Sequence, residues 1–386
     1  MSGHPTVRVG DVLSLTRRPV DVAIDREYEE IGVRSFGRGI FHKDPIEGAA
    51  LANKKVFWIA PGDLVISNVF AWEGAIAVAS EPERGRIGSH RFMTFVPIDG
   101  RIDTTWASWF FRSEPGLELI RRASPGSAGR NRTLAISRFE ALEIPLPPVD
   151  EQRRLASRLD LVEESARSAS KRLEEHPASM LSASLPGLVE AAICDAASGT
   201  SRIADLADFV SDTIHPGDDP APANAFVGLQ HIESHTGRRL GSDPLGPMKG
   251  RKFRFRPGDV LYGYLRPYLN KVWAADRHGL CSVDQYVLRP RRGVSSELLA
   301  YVLRSHAVLR PAIDLTHSLQ LPRLRSGLLS ALEVPLVPMS VTGSVVDRLD
   351  TMRNRAVHLA AMRRVQVDLT KALVPAALNE VFTRAS

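Results

Sequence analysis

The chain is 386 residues long, with 44% hydrophobic and 24% charged residues and a formal net charge of +6 at pH 7. That length has room for two or three domains with cores of their own, and the basic balance favours a polyanionic partner, because surface cations gain affinity by releasing counterions condensed on phosphates. Two cysteines, Cys194 and Cys281, supply neither a disulfide framework nor a zinc set, no stretch reaches the apolar length of a membrane span, and the first residues lack a signal-peptide core, so a cytoplasmic setting without membrane contact is expected.

In chain order, strand character comes first at 55–59, 64–67 and 92–96, separated by Pro-Gly-Asp and glycine-rich turns. A helix is expected over 104–122, where Trp106, Trp109, Phe110, Leu117 and Ile120 recur at helical spacing. After the phrase Ala141-Leu142-Glu143-Ile144-Pro145-Leu146-Pro147-Pro148, Leu155, Leu159, Val162, Ala166, Ala169 and Leu173 form a heptad seam with charged residues on the outer positions. Pro186 should then kink or end the helix. Strands follow at 226–229, 259–262 and 285–288, and the alternation in 251–256 reads as an edge strand with Phe253 and Phe255 turned inward. A helix near 296–309 leads to Ala331-Leu332-Glu333-Val334-Pro335-Leu336-Val337-Pro338 and a second seam, Val345, Leu349, Met352, Ala356 and Leu359. Arg363 breaks that seam, Met362, Val365 and Leu369 take it over, and Pro375 should in turn kink or end its helix.

The two proline phrases lie 190 residues apart, and Arg158-Leu159-Asp160 and Arg348-Leu349-Asp350 keep that offset. Pro61-Gly62-Asp63 likewise answers to Pro257-Gly258-Asp259. A period near half the chain is too long for a solenoid, so the reading is a duplicated domain plus helix. The expected fold class is α/β (α+β): two globular domains separated by a pair of long antiparallel helices in a pseudo-twofold repeat. Their boundaries are 1–148, 149–198 for the central helix, 199–338, and 339–386 for the last helix. About 22–26 helical residues span about 33–39 Å, close to the roughly 34–36 Å of one DNA turn.

Catalytic constellations are missing. There is no phosphate loop, dinucleotide fingerprint, Asn-Pro-Pro-Tyr or His-Glu-x-x-His. His231 and His235 are the single pair at metal spacing and lack a third ligand, so no metal is expected. Asp63 and Asp259 read as turn-capping carboxylates, and the five tryptophans, Trp58, Trp72, Trp106, Trp109 and Trp273, as core.

The run Leu142 to Pro148, continued by Val149-Asp150-Glu151-Gln152-Arg153-Arg154-Leu155, resembles the phrase that opens the spacer helix of type I restriction–modification specificity subunits, and the twofold layout is similar too. The resemblance implies a non-catalytic subunit whose two target recognition domains read a bipartite, asymmetric site in double-stranded DNA. It implies two methyltransferase subunits docked on the helices, with S-adenosylmethionine as their cofactor and none in this chain, and a motor-nuclease subunit for cleavage. Glu151, Gln152, Leu155, Leu159, Val162, Val345, Leu349 and Met352 are the residues expected to pack the helices or seat partners. The second copy has Val341-Thr342 in place of Glu151-Gln152, so its docking site is expected to be weaker.

Bases are read by arginine and amide side chains, and phosphates by cations. On that chemistry the candidates in the first domain are Arg121, Arg122, Arg130, Asn131 and Arg132, in a segment of small residues without acids. In the second they are Lys249, Arg251, Lys252, Arg254, His317, Gln320, Arg323 and Arg325. The competing reading is a two-domain scaffold of another phage-defence methyltransferase complex that does not itself read sequence.

Overall fold

The computed structural model describes residues 4–51, 54–126, 132–246, 250–316 and 320–383. The chain forms two compact units, Met1–Arg172 with Val367–Ser386, and Leu173–Gln366.

The first unit is organised on a four-stranded antiparallel sheet in the order Leu13–Leu15, Phe92–Pro97, Leu64–Ser67, Ile76–Val78. Every residue of Leu64–Ser67 is buried, as befits a central strand covered on both faces. Helix Thr104–Arg112 lays Trp106, Trp109, Phe110 and Phe111 into this core. The single helix expected over 104–122 is two, because Ser113 ends one and caps the next. Its hydroxyl donates to Phe110 O (2.6 Å) and accepts from Gly116 N (3.4 Å). Pro115 then stands in the first turn of Glu114–Ala123, where its missing N–H costs nothing.

The second unit repeats the plan. Its four-stranded sheet runs Ala207–Val210, Gln285–Pro290, Val260–Gly263, Val272–Ala274, the same order at offsets of 193 to 196 residues. Ser305 divides Ser296–Arg304 from His306–Asp314 as Ser113 does in the first unit, so the helix expected near 296–309 is also broken. This unit adds a five-stranded sheet in which Lys252–Phe255 lies between Thr213–Ile214 and Gly279–Cys281. The 251–256 segment is therefore a strand, with Phe255 buried and Phe253 partly so, but an interior strand and not an edge. All these pairings are antiparallel except one between Ala225–Val227 and Gly279–Cys281.

The proline phrases turn out to be strands that close their own domains. Glu143–Pro145 pairs with Thr6–Arg8 (Val7 opposite Ile144), and Glu333–Leu336 pairs with Gly199–Arg202 (Ser201 opposite Val334). Ile144 and Val334 are fully buried. The prolines fit because each is a two-stranded ribbon with a free edge.

The Arg-Leu-Asp triplets have matching jobs. Leu159 and Leu349 enter the two cores. Asp160 accepts from the Trp109 indole N–H (2.8 Å) and Asp350 from the Tyr301 hydroxyl (2.5 Å). Arg158 bridges Glu380, and Arg348 bridges Asp195. Helix Val149–Glu175 and the last helix, Met339–Phe382, meet antiparallel in the first unit, and in the second the last helix runs antiparallel to the segment that ends in Leu185–Ala196. The partners Arg158 and Glu380, His176 and Arg363, Asp195 and Arg348 have residue numbers that add to 538, 539 and 543.

Two expectations for the last helix are corrected. Arg363 does not shift the seam: its Nε donates to His176 O (3.1 Å) while its stem stays in register, so Ala360, Val374 and Val381 continue the inward face. Leu359, Met362, Val365 and Leu369, expected to pack, are 51%, 49%, 56% and 63% exposed. Pro375 does not end the helix, which runs through it to Phe382. Pro186 does sit at a break, in the first turn of Leu185–Ala196. Among the described residues no single helix is long and apolar enough to cross a membrane.

Candidate nucleic-acid interface

Each unit presents an edge built the same way. In the first, Asn68, just past Leu64–Ser67, accepts from Leu134 N (2.8 Å) and donates its N–H to Arg91 O (2.9 Å). A short turn, Ala71–Glu73, follows and ends at Gly74 in the left-handed region. In the second, Tyr264 O accepts from Leu324 N (3.1 Å), and the turn Pro267–Leu269 ends at Asn270, also left-handed. The segment before each closing strand is thus pinned across the end of the sheet.

Arg132 stands on this edge with its guanidinium over the half-buried Trp72 ring, 5.4 Å from the centroid. The Trp72 indole donates to Val69 O, which fixes the ring as a platform, and Phe70 beside it is exposed. The Asn68 Oδ1 is buried without a hydrogen-bond partner among the described residues. Arg121, by contrast, pairs with Glu114 (3.0 Å) and Glu118 (3.8 Å) on its own helix, and Arg122 is exposed. Arg130 and Asn131 lie outside the described residues.

In the second unit the charges of Arg251 and Arg323 both act on Tyr264. Burial holds that phenol above its ordinary value and Asp284 adds to the effect, while both arginines oppose it. The Tyr264 and Tyr286 rings stack at 4.4 Å, and their hydroxyls donate to Val283 O and Leu324 O. Gln320, Arg323 and Arg325 are exposed, and Arg323 reaches Asp284 only at 3.9 Å. Lys252 and Arg254 are engaged within the fold: Lys252 stands over the Phe226 ring (5.3 Å), and Arg254 pairs with Asp212 (3.5 Å) and donates to Asp219 O. Lys249 and His317 lie outside the described residues.

Sequence reading missed Arg266. Its φ of +53° is unusual for a bulky side chain, and the conformation is held by Arg266 N donating to Pro322 O (2.8 Å) and by the bridge of Leu265 to Arg323. The effect is an exposed guanidinium on the same edge. The Pro-Gly-Asp offset of 196 residues carries Asn68 onto Tyr264 and Trp72 onto Tyr268, so that repeat could have located the edge.

The turn aspartates have the predicted role and an ion pair besides. Asp63 accepts from Ala60 N and from both terminal nitrogens of Arg18 (2.6 and 3.0 Å), and Asp259 accepts from Arg256 N and from Arg289 (2.8 and 2.9 Å). Both carboxylates are 1% exposed. His231 accepts from Gly228 N, and no group of three or more metal-ligating side chains occurs among the described residues. Trp106, Trp109 and Trp273 are core, whereas Trp58 and Trp72 are half-buried.

Along the helices, Leu159, Val345 and Leu349 are buried, and Leu155, Val162 and Met352 are half-buried in the packing faces. Glu151 is half-exposed near His4. Gln152 is fully buried: its Nε2 donates to Arg101 O (2.9 Å) and Pro147 O (2.7 Å), and its Oε1 accepts from Asp103 N (2.8 Å). It locks the linking helix to the start of Thr104–Arg112.

No family model matches the chain. A curated relative, the type I restriction enzyme EcoDI specificity subunit of Escherichia coli, is 27% identical over 153 residues, which is 39% of this chain and spans about a third (34%) of that relative's length. The HsdS subunit from Thermoanaerobacter tengcongensis superposes with a TM-score of 0.65 at 19% identity, covering 99% of this chain and 97% of its own. A chain solved in work on complex assembly and conformational transition of the type I R-M system gives 0.67 at 19% identity, covering 99% and 98%. The fold is therefore that of HsdS, over essentially the whole chain.

Proposed function

We propose that the chain is the DNA-sequence specificity subunit of a type I restriction–modification complex. The observation that carries the reading is the duplicated edge: two units of one strand order each present arginines at the end of the same strand, Arg132 over the Trp72 ring in one and the exposed Arg266 and Arg323 in the other, with the charge of Arg251 also acting on Tyr264 there. Two similar surfaces with different side chains suit a site made of two unlike half-sequences. Residues 1–148 and 199–338 act as the target recognition domains, and 149–198 and 339–386 as spacer and docking helices. The likeness to the EcoDI specificity subunit and the HsdS fold support the same reading.

Catalysis is assigned to partners: two methyltransferase subunits that bind S-adenosylmethionine, joined by a motor-nuclease for restriction, in the cytoplasm. The exposed row Leu359, Met362 and Val365 on the second unit's part of the last helix is the docking face, since exposed apolar rows on a helix are covered in assemblies. The test is selection from a randomised duplex library with the partner methyltransferase present. A two-part motif with a fixed gap is expected, with affinity falling steeply in salt. Alanine at Arg266 and Arg323 should blur one half of the motif and leave the other. Enrichment of no two-part motif would refute the reading.

A further inference from the structure

The repeat gives two of the three partners of Gln152, Asp103 and Pro147, a counterpart in the second unit. Asp103 and Ser295 are the N-caps of equivalent helices, accepting from Trp106 N and Leu298 N, and the left-handed Gly100 and Gly293 before them also correspond, so Val294 alone stands where the first unit has Arg101 and Ile102. Within the proline phrases Pro147 corresponds to Val337, and Gln152 to Thr342. Thr342 is too short for the glutamine's task. Its hydroxyl donates to Pro338 O (3.1 Å) in its own helix, and among the described residues it makes no hydrogen bond to Gly293, Ser295 or Val337. In place of the buried amide there is a cavity of about 240 Å³, lined by Gly293, Ser295, Val337 and Thr342 and walled by Leu298 and Val302.

We propose that this cavity is a binding site for a primary carboxamide on a short apolar stem, delivered as a glutamine side chain of a partner protein. The first unit shows the ligand that such a corner takes: one N–H donor and two carbonyl acceptors converge on an amide. A carboxylate has no donor for the carbonyl of Val337 and an ammonium no acceptor for the N–H of Ser295, so a carboxamide matches both. The mouth decides the source. Leu336 and Met339, which line it, are 38% and 72% exposed, an apolar rim that a protein surface covers and that repels the charged α-groups of a free amino acid. The inference rests on the repeat and not on DNA reading, so either can fail alone.

The probes are butyramide, butyrate, N,N-dimethylbutyramide, free glutamine and glutamine capped as its N-acetyl N-methylamide, each followed by thermal shift of the full chain. At about 50 mM, butyramide and the capped residue should raise the second unit's melting temperature by roughly 1–3 °C, with the other three weaker. Thr342→Gln, which fills the site from within, and Thr342→Met, which fills it with apolar atoms, should both abolish the response. Gln152→Thr should create a second responsive site in the first unit. Equal shifts from all five probes, or a response surviving in both Thr342 variants, would mean a non-specific apolar void and overturn the proposal. A larger shift from free than from capped glutamine would overturn the assignment to a protein partner.

Discussion

Replacing Gln152 by methionine keeps the side-chain length and removes only the amide, so the change isolates three hydrogen bonds made in a place without solvent. Each bond contributes about 0.5–1.5 kcal/mol net, and a buried group left without a partner costs about 1–3 kcal/mol. Because the Asp103 N–H has no second acceptor among the described residues, whereas Arg101 and Pro147 lose only a donor, we expect a total near 3 kcal/mol and not the arithmetic maximum. The first unit comprises 192 residues, a size at which each kcal/mol lowers the melting temperature by about 2–4 °C. A drop of roughly 6–12 °C in the first unit's transition follows. Four of the five tryptophans belong to that unit, so intrinsic fluorescence reports it, and amide exchange at Asp103 gives a local readout. A loss below about 0.5 kcal/mol with unchanged exchange at Asp103 would show that the amide does not hold the helix.

Other outcomes follow from the same geometry. Arg18→Ala and Arg289→Ala should each cost about 3 kcal/mol in urea unfolding, because Asp63 and Asp259 would be left as unpaired charges at 1% exposure; loss under about 1 kcal/mol would contradict this. Burial, and next the charge of His306, hold His235 below the ordinary imidazole value. The folded unit then binds that proton less readily than the unfolded chain, so the contribution is fully present above about pH 6.5 and is lost as pH falls through the lower folded value. His235→Asn, which suits the φ of +64°, should flatten the fall in the second unit's urea midpoint between about pH 7 and 5. The Cys281 thiol is fully buried and pushed up to about 12, while Cys194 is exposed. A thiol reagent at pH 8 should modify one cysteine in the native chain and two after unfolding.

Duplication was legible because it is written in short rigid phrases. Pro-Gly-Asp, Arg-Leu-Asp and the proline run each fix one local geometry, and each appears twice in the same role. The helix breaks at Ser113 and Ser305 were not, since a serine standing between two helices leaves the apolar spacing intact. Nor was the true seam of the last helix. Arginine reads as polar in any periodicity, yet Arg363 stays in register by sending its head to a carbonyl of the neighbouring segment. Of the candidate cations, sequence could place Arg132 and Arg323 near the same edge only by their position before the closing strand. It could not reveal that Arg254 is already paired, or that a left-handed backbone exposes Arg266.

The last helix also sets an order of manufacture. Phe382, 4% exposed, meets the rings of Trp106 and Phe110 at 6.3 and 5.7 Å, and Val381 lies in the same core. These residues are made about two hundred positions after the rest of the first unit has left the ribosome. The second unit, contiguous from Leu173 to Gln366, has all its parts sooner. The half that is translated first is completed last, its core waiting on a strip of helix that follows the whole second unit in the chain.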